Sequence, residues 1–153
     1  MRKVLLVPLL LWACGGDKAP KMDESAMAAP AALTAADVVG NYAGTTMAAG
    51  TDSVISTWTS TTMTNAEGEL VGQLVQAAAP DAPIAMAATI SGDSVIWMGS
   101  SYTPVGAAAD APPMTWTAVG RPTGNTWNGT VAFMMVGSDS VVQRGTWTAT
   151  RTP

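Results

Sequence analysis

Between residues 126 and 136 the chain reads TWNGTVAFMMV. Every second residue from Trp127 onward is apolar or small: Trp127, Gly129, Val131, Phe133 and Met135. Only a pleated strand with one buried face puts those five on one side, because side chains alternate across a strand and spiral around a helix. The same period recurs along VISTWTSTTM, where Val54, Ser56, Trp58, Ser60 and Thr62 share one face and Ile55, Thr57, Thr59 and Thr61 the other. It recurs with Met114, Trp116 and Ala118, and again with Val141, Gln143, Gly145, Trp147 and Ala149 opposite Arg144, Thr146 and Thr148. Nothing between residues 37 and 153 holds a helical period over three turns. The β-branched and aromatic content of this region fits a half-buried pleated surface, so the chain is expected to be all-β.

Turn signals divide the region into eight strands: GNYAGTTMA, SVISTWTSTTM, ELVGQLV, IAMAATI, SVIWMGS, MTWTAVGR, TWNGTVAFMMV and DSVVQRGTWTATR. Most connections are short, and sequential strands with short links pair as antiparallel neighbours. A meander of eight can close on itself and so remove both unpaired edges. The expected fold is an eight-stranded antiparallel up-and-down barrel. The alternative is a β-sandwich, which needs longer crossovers, and only the loops near Pro80 and Ala108 have the length. GTDSV, SGDSV and GSDSV recur at strand starts near Asp52, Asp93 and Asp139. They read as turns, where Gly permits a reversed backbone and Asp and Ser bond their own main chain. The spacing lacks the alternating oxygen donors of a calcium loop. Thr34 is placed to cap a single helical turn, AADV, ahead of Gly40.

The chain has no histidine and one cysteine. That removes the commonest general base, the usual zinc sites and the histidine-dependent nucleophilic triads. Glu67 and Glu69 are the only carboxylates close enough to suggest an acid–base pair, and they sit in the turn NAEGE, where exposure to solvent is expected. Arg121, at a strand end, is placed either to meet a carboxylate ligand or to pair with a loop acid. The protein is expected to be non-enzymatic and to need no cofactor or metal. Acidic side chains outnumber basic ones, 11 to 7, and no basic stripe exists, so a nucleic-acid partner is not expected.

Ahead of this region stands MRKVLLVPLLLWAC. Two cations precede about ten apolar residues, which rise only about 15 Å as a helix, whereas a bilayer takes about 20 residues. The segment has the proportions of a signal peptide. Its end, LWAC, resembles the bacterial lipobox: Leu11 lies three residues before Cys14 and Ala13 directly before it. The resemblance implies cleavage before Cys14 and lipid attachment to its thiol, hence a protein held on the cell envelope. Gly15 after the cysteine, by the same resemblance, implies the outer membrane. Residues 1–13 are then a signal peptide and residues 14–36 a flexible tether. The tether is rich in Ala, Pro and charge, too poor in apolar surface to offset its ordering entropy. The remaining residues, 37–153, form the barrel.

LTAADVV running into GNYAG is similar to the start of lipocalin-like barrels, and of avidin-type barrels, where a Gly-x-Trp motif opens the first strand. Gly40 and Tyr42 match it, with Tyr in place of Trp. In lipocalins an Arg from the last strand region lies over that aromatic, a position open to Arg144 or Arg151. The resemblance is one of architecture and transfers no ligand. Tyr42, Trp58, Trp116, Trp127, Phe133 and Trp147 are the candidate lining, with Trp97 also at a sheet position. An eight-stranded barrel has room for its own side chains or for one small ligand. The Gly and Ala positions beside these rings, among them Gly44, Gly72, Ala118, Gly129 and Gly145, either leave space or offset the bulk of the rings. Two functions follow: a lipid-anchored carrier of a small apolar or amphipathic molecule, or a solid-cored module that contacts another envelope protein through its loops.

Overall fold

The computed structural model describes residues 32–138 and 140–153. The expected signal peptide, Cys14, the expected tether as far as residue 31, and Asp139 lie outside the described residues. One short helix, α1 (Ala35–Val38), precedes eight strands: β1 (Gly40–Ala48), β2 (Val54–Thr64), β3 (Leu70–Gln76), β4 (Ile84–Ser91), β5 (Ser94–Tyr102), β6 (Met114–Thr123), β7 (Thr126–Met135) and β8 (Val141–Thr152). Each strand pairs antiparallel with the next. β8 returns to β1 with Gly44 opposite Ala149 and Thr45 opposite Thr148, which closes the sheet into a barrel. A two-sheet sandwich has no such closing pair.

The two ends differ. Connections β2–β3, β4–β5 and β6–β7 lie at the end where α1 enters, and two of these turns are short enough to need left-handed glycines, Gly92 (φ 63°) and Gly124 (φ 63°). Val38 of α1 is fully buried there, beside Tyr42 and Trp127. The longer loops gather at the other end, which forms the mouth. The chain already packs on the core from Leu33 and Ala35, and the Leu33 N–H donates to the Gly92 carbonyl at 3.2 Å.

Thr34 is the N-cap of α1, as expected, and forms a capping box with Asp37. The Asp37 carboxylate accepts from both the backbone N–H (2.8 Å) and the hydroxyl (2.7 Å) of Thr34. These bonds favour the ionised form and hold the Asp37 carboxyl below its ordinary pKa.

The expected faces hold along most strands, with two departures near the mouth. The β1–β2 register shifts between Thr46, opposite Ser56, and Met47, opposite Val54. One residue of β2 is therefore unpaired, and the inward set changes parity. Val54, expected inward with Trp58, is 59% exposed, while Ile55 packs against the core. On β8, Gly145, Trp147 and Ala149 are buried as expected, but Val141 and Gln143 are exposed because the strand runs past the rim.

Candidate functional site: the barrel interior

Each interior tryptophan of the barrel faces a glycine or alanine directly across a strand pair. Trp58 is opposite Gly44, Trp97 opposite Ala88 and Ala118, Trp116 opposite Gly99, Trp127 opposite Ala149, and Trp147 opposite Gly129. The rings lie over their partners. A Cβ added at Gly99 would stand 2.1 Å from the Trp116 indole nitrogen, and one at Gly44 2.5 Å from the Trp58 ring. The small residues thus hold the bulk of the rings, which is how a narrow barrel fits five indoles without strain. The rings also touch one another edge to face. Trp97 meets Trp127 at 5.3 Å and Trp147 at 5.4 Å between centroids, and Tyr42 meets Trp127 at 6.4 Å. Such pairs contribute about 0.5–1.5 kcal/mol each beyond area burial.

A cavity of about 70 Å³ remains among them. That is room for a few waters or a group of a few heavy atoms, about half the size of a cavity that admits benzene, roughly 150 Å³. All six candidate residues (Tyr42, Trp58, Trp116, Trp127, Phe133 and Trp147) line it, and so do Trp97, Leu74 and Met86. The lining also contains a polar wall that the sequence reading did not pick out as a site. Ser56, Ser60 and Thr62 come from the inner face of β2, Thr46 from β1 beside it, and Gln76 from the end of β3. Ser60, Thr62 and Thr46 are buried. The signal was present in the period-2 set Ser56–Trp58–Ser60–Thr62, which alternates toward the core as surely as the aromatic strands do. Serine and threonine on a strand usually mark its solvent face, so the set carried no site meaning by itself.

Two indoles are anchored by hydrogen bonds. The Trp58 N–H donates to the Thr46 hydroxyl at 3.0 Å and the Trp147 N–H to the Thr130 carbonyl at 3.2 Å. No lining residue carries a formal charge. Gln76, Tyr102 and Ser56 line the cavity at the mouth end, opposite α1.

The α1 end is closed by a latch. The Tyr42 hydroxyl donates to the Val38 carbonyl at 2.7 Å. Of the two arginines considered for the position over Tyr42, Arg151 takes it, with its guanidinium carbon 5.9 Å from the ring centre. The same guanidinium donates to the carbonyls of Val39 and Ala36 and lies against Gly40, where a Cβ would stand 2.7 Å from it. Arg144 projects from the outer face of β8 near the mouth.

Burial pushes the Tyr42 phenol above its ordinary pKa, against a smaller opposing effect of Arg151, and burial raises Tyr102 as well. For a group raised in the folded state, stability is fully present below the unfolded value of about 10 and is lost as pH rises through the folded value. The expected result is a melting temperature that falls above about pH 10, with both phenolates ionising later by ultraviolet absorbance in native than in unfolded protein. Coincident native and unfolded titrations would contradict the burial of both rings.

The remaining candidates lie away from the cavity. Glu67 and Glu69 are exposed at the β2–β3 turn, where Asn65 accepts from both of their backbone N–H groups and donates to the Glu69 carboxylate. Arg121 is at the α1 end, with its Nε 2.9 Å from the Ser94 hydroxyl and 3.4 Å from the Asp93 carboxylate. It pairs with a loop acid and does not reach the mouth. In the turns, Ser53 N–H donates to Thr51 and Ser140 N–H to Ser138, and the Ser94 hydroxyl donates to Asp93. Among the described residues, no group of three or more His, Cys, Asp or Glu is placed to hold a metal ion, and no helix is long and apolar enough to cross a membrane. No family model, curated protein or solved structure matches the chain.

Proposed function

We propose that this is a lipid-anchored, non-catalytic protein of the bacterial envelope whose barrel holds a small neutral amphipathic molecule. The observation that carries the ligand reading is the mixed lining of the cavity: Thr46, Ser56, Ser60 and Thr62 line it together with five indoles, and no lining residue carries a charge. A hydroxyl or carbonyl head finds partners on β2, and its apolar part finds rings and Met86. A charged head finds nothing to offset its desolvation, which costs several kcal/mol. The anchor reading rests on LWAC and the apolar leader, and placement in the outer membrane on Gly15 after Cys14.

A second reading, the solid-cored interaction module, draws support from the stacking of rings on glycines, which leaves only about 70 Å³. Calorimetric titration with straight-chain alcohols of two to four carbons, the size the cavity of about 70 Å³ admits, separates the two. The ligand reading expects saturable binding with an optimum chain length and a Kd between about 1 mM and about 10 μM, the range for a ligand of so few atoms. The matching carboxylates should not bind. No saturable heat with any alcohol would favour the module.

A further inference from the structure

The outer surface of the barrel is divided. On β8, β1 and β2 it is hydroxylated, with Thr45 opposite both Thr57 and Thr148, and Ala43 opposite Thr59 and Thr150. On the opposite flank the outward row runs Met63–Val71–Ala87–Met98, each residue facing the next across β2 to β5, with Ile96 opposite Val119 just beside it. Met63, Met98 and Val119 are 51%, 49% and 40% exposed.

Charge is segregated in the same way. Among the described residues no carboxylate lies on a strand: Asp37 is in α1, and Asp52, Glu67, Glu69, Asp81, Asp93 and Asp110 are in connections at the two ends. An acidic barrel that approaches a lipid surface by either end brings carboxylates to it, but on its flank it brings none. The departure point of the chain selects between the flanks. Leu33 is bonded to Gly92 at the tip of β4–β5, so the chain toward Cys14 leaves at the edge of the apolar flank.

We infer that the flank formed by β3–β6 and the end of β2 rests on the lipid bilayer that the Cys14 anchor enters; this rests on the anchor reading above. Seventeen residues stand between Cys14 and residue 32, so the barrel stays within about 60 Å of the anchor even with that chain fully extended. Confinement of this kind raises the effective concentration of the flank at the surface, so a weak contact is enough. The apolar patch is one outward row four strands wide with a second row apolar only at Ile96 and Val119, roughly 200 Å² from strand and residue spacings. A stable dimer needs about 800 Å² per partner. The size suits a tethered body on a bilayer better than a second copy.

The test uses the mature, lipidated full chain in vesicles of phosphatidylethanolamine and phosphatidylglycerol. A nitroxide is placed at Met98→Cys in one preparation and at Thr148→Cys in another, Cys14 being blocked by its lipid. Wild-type protein should float with the vesicles, and Cys14→Ser should not. The label at position 98 should be reached by oxygen several-fold more readily than by a water-soluble nickel chelate, and the label at 148 should show the reverse. Protein that floats with both labels equally open to the chelate keeps the anchor and overturns the docking. Spin–spin broadening between labels at 98 assigns the flank to a second copy and also overturns it. Protein that does not float overturns the anchor reading and the docking together.

Discussion

Trp127→Asp leaves most of the chain unfolded at room temperature. Trp127 is 4% exposed and stands at the α1 end of the barrel, in edge-to-face contact with Tyr42 and Trp97. Truncating a buried tryptophan removes about 3–5 kcal/mol. A carboxylate left there adds several more, because it loses its hydration in an uncharged aromatic site where the Tyr42 hydroxyl is already given to the Val38 carbonyl. The sum is comparable to the whole stability of a domain of this size, about 5–15 kcal/mol. The damage also spreads to the latch, since Tyr42 holds Val38 through its hydroxyl and supports Arg151 on its face. Circular dichroism melting checks it. Trp127→Phe should stay folded with a lowered melting temperature, and Trp127→Asp should show no cooperative transition. A Trp127→Asp melt within a few degrees of the wild type would place the ring at the surface.

Gly129→Val is expected to cost about 3 kcal/mol or more, at or above the usual range for overpacking. Gly129 faces Gly120 across β6–β7, and Trp147 lies over both. A Cβ at Gly129 would stand 2.0 Å from the Val119 carbonyl oxygen and 2.7 Å from the Trp147 indole. A flexible side chain could swing away from such a contact, but the carbonyl belongs to the strand ladder and cannot move without breaking it. The indole would be driven off Gly120 and would lose its bond to Thr130. Denaturant midpoints measure the loss, and tryptophan emission should shift to longer wavelength as Trp147 becomes wetter. Thr130→Val, one residue away on the exposed face, should change stability by less than about 0.5 kcal/mol. Equal midpoints for the two variants would contradict the ring-on-glycine packing.

The strands and their order were legible because alternation and turn chemistry are local. GNYAGTTMA predicts β1 residue for residue, and SGDS sets the β4–β5 hairpin. The meaning of the glycines was not legible. Whether Gly44 or Gly129 leaves space or seats a ring depends on the residue across the ladder, and that register is fixed only when the barrel closes. The same limit applies to Arg144 and Arg151, since only pairing of Tyr42 with Arg151 across β1–β8 decides which guanidinium covers the ring. Val54 and Ile55 exchanged faces because a bulge changes parity and leaves no mark in composition. The aromatic half of the cavity was legible from size and period, whereas the hydroxyl half resembled an ordinary wet strand face.

The central claim is that a neutral molecule enters the mouth and settles between the β2 hydroxyls and the indoles. Two-dimensional proton–nitrogen NMR tests it most directly, because the indole N–H groups give separate signals. On titration with 1-butanol the signals of Trp58, Trp116 and Trp147 should move and saturate together, and Ser60→Val with Thr62→Val should weaken the response several-fold. Butyrate should move none of them. Indole signals that stay fixed to the solubility limit of the alcohol, or that respond equally to butyrate, would contradict the account.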